Sequence, residues 1–291
     1  LSFAIYRISP HFKIPRPNRR FLTNVNGKSL PDAYFAVNLF LFTVTKYAVM
    51  TNMTNFPHRN RERFAGALFL LVFALYGGGA ALLTAPLETP DLFTRLAEFS
   101  TSSAFGGALV AANSLAVVVI AAALYPVLAA QSVPLALGYV AARMVESILL
   151  AAGATCLLTV FPAGLHLARE AGAHNAAISS AISSAMFSAL RFALQEMNNT
   201  LYQFAMLALG VGSVGFCRTL LRARLLPKAF AFAGIAGYIA LAVGATLELF
   251  GVKAGIILAA PGGVFEFALG IWLLWKGFNS KDFAAENPQV D

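Results

Sequence analysis

The chain has 291 residues, of which 58% are hydrophobic and only 12% charged, with a mean hydropathy of +0.71. A soluble domain carries about 25% charged residues, so this composition excludes an ordinary soluble fold and places the chain in the membrane class. The net charge of +8 does not indicate nucleic acid, because Lys and Arg gather between apolar runs, the pattern that orients spans in a bilayer.

Residues 1–57 read as an N-terminal extension. Arg7, Lys13, Arg16, Arg19, Arg20 and Lys28, interspersed with Pro10, Pro15 and Pro17, predict disorder over residues 1–28. The apolar run 33–49 is interrupted by Asn38 and Lys46 and is short for a span, which needs about 20 residues. Crossing there would also strand the basic residues of 1–28 outside, against the positive-inside bias. The run reads either as an interfacial helix or as a stretch upstream of the working protein, with Met50 or Met53 as the true start.

Residues 58–281 read as one transmembrane domain of six spans, all α-helical, and residues 282–291 as a cytoplasmic tail. The domain opens on the basic flank Arg59, Arg61, Arg63, and the first span is 65–87. Glu88, Asp91, Arg95 and Glu98 make an outer loop before span two at 104–129. A tight turn at 132–134 leads to span three at 135–161, followed by a polar segment with His166, Arg169, Glu170 and His174.

Residues 176–197 read as an amphipathic helix on the outer surface, with Ile178, Ile182 and Met186 on one stripe and a break near Asn198-Asn199. Span four is 200–220, span five 229–250 and span six 255–275. From Arg59 onward this layout puts nine Lys and Arg on the cytoplasmic side and four outside. That asymmetry predicts a cell-membrane protein with both ends of the core in the cytoplasm.

Charged residues inside spans are the informative ones, since each costs about 2.5–3.5 kcal/mol or more at the bilayer centre. At 1.5 Å per residue, Arg143 lies roughly 12 Å, Glu146 roughly 16 Å and Glu266 roughly 15 Å from the cytoplasmic edge. The three share a level, and Arg143 and Glu146 share a helix face. They are the candidate site, either as a buried ion-pair cluster registering spans three and six or as a proton or cation site, because two carboxylates share one guanidinium. Pro261, Gly262 and Gly263 precede Glu266 and predict either a helix break that frees carbonyls beside it or a simple kink. Glu248, near the outer end of span five, is expected to be solvated.

Other motifs carry less. Gly210-Val211-Gly212-Ser213-Val214-Gly215 matches a dinucleotide-binding string, but it lies in an apolar helix rather than between a strand and a helix. Small residues there serve close helix packing. Ser179, Ser180, Ser183 and Ser184 lack a His–Asp partner set. Cys156 and Cys217 form no metal or disulfide framework, and His11, His58, His166 and His174 show no ligand spacing. No cofactor or metal is implied, and no catalytic residue is named.

The run from Gly138 to Glu146 (GYVAARMVE), Arg224 to Lys228 (RLLPK) and Trp272 to Phe278 (WLLWKGF) carry a resemblance, as do Arg63 to Leu70 and Leu124 to Leu128. Over residues 60–280 the chain resembles the prokaryotic membrane proteins catalogued as domain of unknown function 4386. That family begins shortly before the first span, so the extension departs from it. The resemblance implies a fold and no activity. The functional expectation is therefore small-solute or proton-coupled transport or permeation through the Arg143, Glu146, Glu266 cluster; the alternative is a non-catalytic membrane scaffold or accessory subunit. Expected partners are the lipid bilayer and a small solute or proton, with no nucleic acid.

Overall fold

The structure, a computed structural model, describes residues 58–89, 91–173 and 177–279. The expectations for the 1–57 extension, for His174 and for the 282–291 tail lie outside the described residues. Six α-helices follow one another: α1 (His58–Thr84), α2 (Leu92–Ala129), α3 (Val133–Ala173), α4 (Ala177–Arg222), α5 (Lys228–Leu249) and α6 (Gly255–Trp275). A 3-10 turn, Ala85–Glu88, closes α1. No strand occurs among the described residues, and each of the six helices is long and apolar enough to cross a bilayer. The protein is an all-α integral membrane protein.

Each helix packs against its neighbours in sequence, and α6 returns to pack on α1, while contacts across the middle are sparse. The result is a closed ring of six helices in chain order. Its last seam joins α1 to α6, where Gly66 and Gly270 let the backbones touch: a Cβ on Gly66 would lie 2.7 Å from the Gly270 carbonyl oxygen. One end of the ring gathers Arg59, Arg61, Arg63, Arg222, Arg224, Lys228 and Lys276, and is called the basic end below.

The helices differ in reach. α5 and α6 have 22 and 21 residues, about the length that crosses a ~30 Å hydrocarbon layer. α2, α3 and α4 have 38, 41 and 46 residues, or about 57–69 Å at 1.5 Å per residue. Gly210 of α4 abuts Tyr238 of α5; beyond that level α4 runs on to Ala177, whereas α5 stops at Leu249. The excess therefore stands at the far end, opposite the basic one. It is held by its own apolar cluster, in which Phe187 packs with Leu92, Leu96, Val160 and Phe161. Arg191 Nη1 donates to the Leu87 carbonyl at 3.0 Å, tying α4 to the 3-10 turn.

Two expectations are corrected here. Residues 177–197 are helical, but there is no break at Asn198-Asn199: α4 is one helix from Ala177 to Arg222. Asparagine is a weak helix former and no more than that, and Asn198 is packed hard against Gly153 of α3, where a Cβ would lie 2.6 Å from Asn198 Oδ1. The apolar stripe faces away from the other helices. Ile182 and Met186 are 55% and 56% exposed, whereas Ser183 and Phe187 are buried. Span two likewise starts earlier than its apolar run, at Leu92, and takes in Ser100 and Ser102, whose hydroxyls donate back to the carbonyls of Ala97 and Phe99 (3.0 and 2.9 Å).

The glycine string 210–215 lies within α4. A Cβ on Gly210 would meet the Tyr238 carbonyl oxygen at 2.8 Å, and one on Gly212 would overlap Ala142. The string is a packing surface for α3 and α5.

Candidate functional site

Helical spacing builds the site before any tertiary contact does. Tyr139, Arg143 and Glu146 stand at i, i+4 and i+7 along α3, and so point from one face. That face is turned into the ring. Arg143 is 1% exposed and Glu146 4%, and the ring brings Glu266 of α6, 8% exposed, to the same place.

The guanidinium of Arg143 is engaged at every nitrogen. Nη1 donates to Glu146 at 3.1 Å (Oε2) and 3.5 Å (Oε1). Nη2 donates to Glu266 Oε1, and Nε donates to the Tyr139 hydroxyl at 3.1 Å. The Tyr238 hydroxyl of α5 donates to the same Glu266 Oε1 at 2.8 Å. The three charges placed at one depth by the sequence are thus in direct contact. Two tyrosines complete the cluster that the sequence did not single out.

Beneath the cluster, toward the basic end, aromatic rings fill the axis. The Arg143 guanidinium lies 5.7 Å from the centre of the Phe69 ring and 5.4 Å from that of Tyr139. Tyr139 in turn stacks on Phe216 at 4.6 Å. Phe69, Tyr139 and Phe216 have no accessible surface, and the ring below them is one packed apolar core.

Above the cluster the axis is open. An inner chamber of about 360 Å³ is lined from all six helices and has Arg143, Glu146 and Glu266 in its wall. An outer vestibule of about 810 Å³ lies toward the far end, bordered by Glu196, Asn198 and Asn199 of α4 and by Glu248 and Lys253 around the α5–α6 connection. The two cavities share lining residues, among them Tyr76, Leu150, Tyr202, Met206 and Ile256. Their mouth is the step between tall α4 and short α5 and α6.

The chamber holds polar groups that charge alone does not reveal. Asn113 of α2 is 2% exposed, lines the chamber and has no hydrogen-bond partner among the described residues. Tyr76 and Tyr202 stack at 6.1 Å in the wall common to both cavities. A lone asparagine amid Ala111, Ala112 and Leu115 was the available signal for the first; nothing in spacing distinguishes the tyrosines from packing aromatics.

The Pro261-Gly262-Gly263 expectation of a break is corrected: α6 is continuous through all three residues. The glycines serve contact with α5, since a Cβ on Gly237 would lie 2.9 Å from the Gly262 amide nitrogen. Pro261 still offers no N–H to the carbonyl four residues earlier, which makes this a mild irregularity in a wall of the chamber. Glu248 is half-buried rather than solvated, and its Oε1 accepts from the Gly255 amide at 2.8 Å at the start of α6. No group of three or more His, Cys, Asp or Glu suited to a metal occurs among the described residues.

A family model described as "Domain of unknown function (DUF4386)" matches residues 64–277, well over half of the chain. The chain belongs to the DUF4386 family. The match covers all six helices of the ring, so the cluster, the chamber and the aromatic floor all lie within the family domain. No curated protein and no solved structure matches this DUF4386 chain.

Proposed function

We propose that this DUF4386 protein carries a small solute, or a solute coupled to protons, along the axis of its helix ring in the cell membrane. The observation that supports this reading is the pair of cavities sharing one wall, which lead from a polar rim to Arg143, Glu146 and Glu266. Ionisable side chains at membrane depth mark pathways and proton relays more often than decoration, because their burial is costly. The clustering of Lys and Arg at the basic end supports a cytoplasmic orientation for that end, with the vestibule facing outward. The floor of Phe69, Tyr139 and Phe216 then closes the inner side, and passage requires those rings to move. The sealed floor also suits a non-catalytic accessory subunit or scaffold, which binds without passage.

Labelling and flux separate the two. In a Cys156→Ala/Cys217→Ala background, Lys253→Cys at the rim and Ala259→Cys in the shared wall are exposed to a membrane-impermeant thiosulfonate from outside intact cells. Both react if the vestibule opens outward; reaction at neither position reverses the orientation, and reaction at Lys253→Cys alone closes the path. In proteoliposomes containing pyranine, an external acid pulse acidifies the lumen faster with the native chain than with Glu266→Gln. Equal rates remove the proton-coupled reading and leave uncoupled carriage or the accessory role.

A further inference from the structure

We infer that the inner chamber binds a monovalent organic cation, with its ammonium between Glu266 and Asn113 and its apolar body beside Tyr76 and Tyr202. The inference rests on the chamber being a ligand site, as proposed above, but not on passage through it.

Three observations converge on that chemistry. The first is charge balance. Arg143 faces both Glu146 and Glu266, so with both carboxylates ionised one charge has no protein counterpart in a place where uncompensated charge is costly. The second is free hydrogen-bonding capacity. Glu266 Oε1 takes bonds from both Arg143 and Tyr238, whereas no described residue donates to Oε2. Across the chamber the Asn113 amide is equally without a partner and 2% exposed. Both groups line the same cavity, so their free valence is open to whatever occupies it. The third is the wall itself, in which the stacked Tyr76–Tyr202 pair offers aromatic faces of the kind that attract cations.

The competing ligand classes fit less well. An anion would add negative charge beside two carboxylates that already share a single guanidinium. An inorganic cation such as calcium takes about 6–8 oxygens, while much of this wall is Val72, Val117, Leu150, Met206, Leu209 and Leu241. A volume of about 360 Å³ lies at the small end of the ~300–1,000 Å³ typical of organic-ligand sites.

The test uses the full chain in lipid nanodiscs and three probes of one shape: phenethylammonium, 2-phenylethanol and 3-phenylpropanoate. Binding is read by calorimetry and by the rise in melting temperature that a native-state ligand produces. Phenethylammonium is expected to bind at least about tenfold more tightly than the alcohol, and 3-phenylpropanoate not measurably. Glu266→Gln and Asn113→Ala should each weaken phenethylammonium by about tenfold. Asn113 makes no bond to any described residue, so Asn113→Ala should melt like the native chain without ligand and remains informative if Glu266→Gln folds poorly. Equal binding of ammonium and alcohol, tighter binding of the propanoate, or unchanged affinity in Asn113→Ala overturns the inference. If Ala259→Cys is still labelled from outside in that event, the chamber stands and only its ligand class is wrong; failure of flux alone leaves the cation site intact.

Discussion

The two halves of the ring are built on opposite plans. Toward the basic end the axis is filled: Phe69, Tyr139 and Phe216 interlock, and the apolar cluster around them draws on all six helices. Toward the far end the axis is empty, and the apolar residues that would have filled it pack between helices instead, as Phe187, Leu96 and Val160 do. Both halves exclude water from helix–helix seams, yet only one excludes it from the centre. The Arg143 cluster sits at the boundary, with aromatic rings on one side and a cavity on the other. A charged group in that position needs its neighbours for neutralisation on the closed side and retains free valence on the open side.

The sharpest way to break the comparison is at the boundary itself. Arg143→Met strands two carboxylates against an apolar floor, and removing one partner of a buried pair costs about 3–5 kcal/mol. Unfolding in bicelles should show that loss, and the triple variant Arg143→Met/Glu146→Gln/Glu266→Gln should recover most of it. If the single variant is as stable as the native chain, the cluster is better solvated by the chamber than its burial indicates. The next effect is confined to the far half. Phe187→Ala removes a ring from the cluster of α2, α3 and α4, with an expected cost of about 3 kcal/mol. Hydrogen exchange should rise in the far segments of these helices and not around Phe216; a rise throughout would show that the two halves unfold as one unit.

The smallest effect lies at the basic end, where Arg59 donates to the carbonyls of Leu273 (3.0 Å) and Leu274 (3.1 Å), and also to that of Trp275, at the end of α6. Arg59→Ala should cost about 1–2 kcal/mol, the scale of partly exposed bonds from a charged donor. Disulfide trapping of a cysteine pair across α1 and α6 should then slow at the basic end and remain unchanged near Phe73 and Phe267, whose rings meet edge to face at 5.8 Å.

The fold was legible where the bilayer imposes a rule. Six apolar runs mark six helices, because an uncharged stretch of about 20 residues has few alternatives in lipid. It was less legible beyond the bilayer, where that rule lapses. Ser100 and Ser102 read as loop, and residues 176–197 as a separate surface helix, yet both continue the long helices α2 and α4, since tertiary packing around Phe187 outweighs weak local propensity. The cluster was legible for an energetic reason: charge at depth demands a partner, and only Arg143, Glu146 and Glu266 shared a depth. Asn113, Tyr76, Tyr202 and Tyr238 carry no charge whose depth could pair them, so their convergence is a property of ring closure and is invisible along the chain.

That closure has a consequence for biogenesis. The bond from Arg59 to the Trp275 carbonyl spans 216 residues, so the first of the six described helices completes its packing only when the last of them arrives. At synthesis rates of about 5–20 residues per second, α1 waits roughly 10–40 s with its seam face unpaired. During that interval the chain is an open crescent whose Gly66 surface is free to meet other small-residue helices. A chain that stops before α6 never closes, and the cell has a long window in which to tell such a product from a finished one.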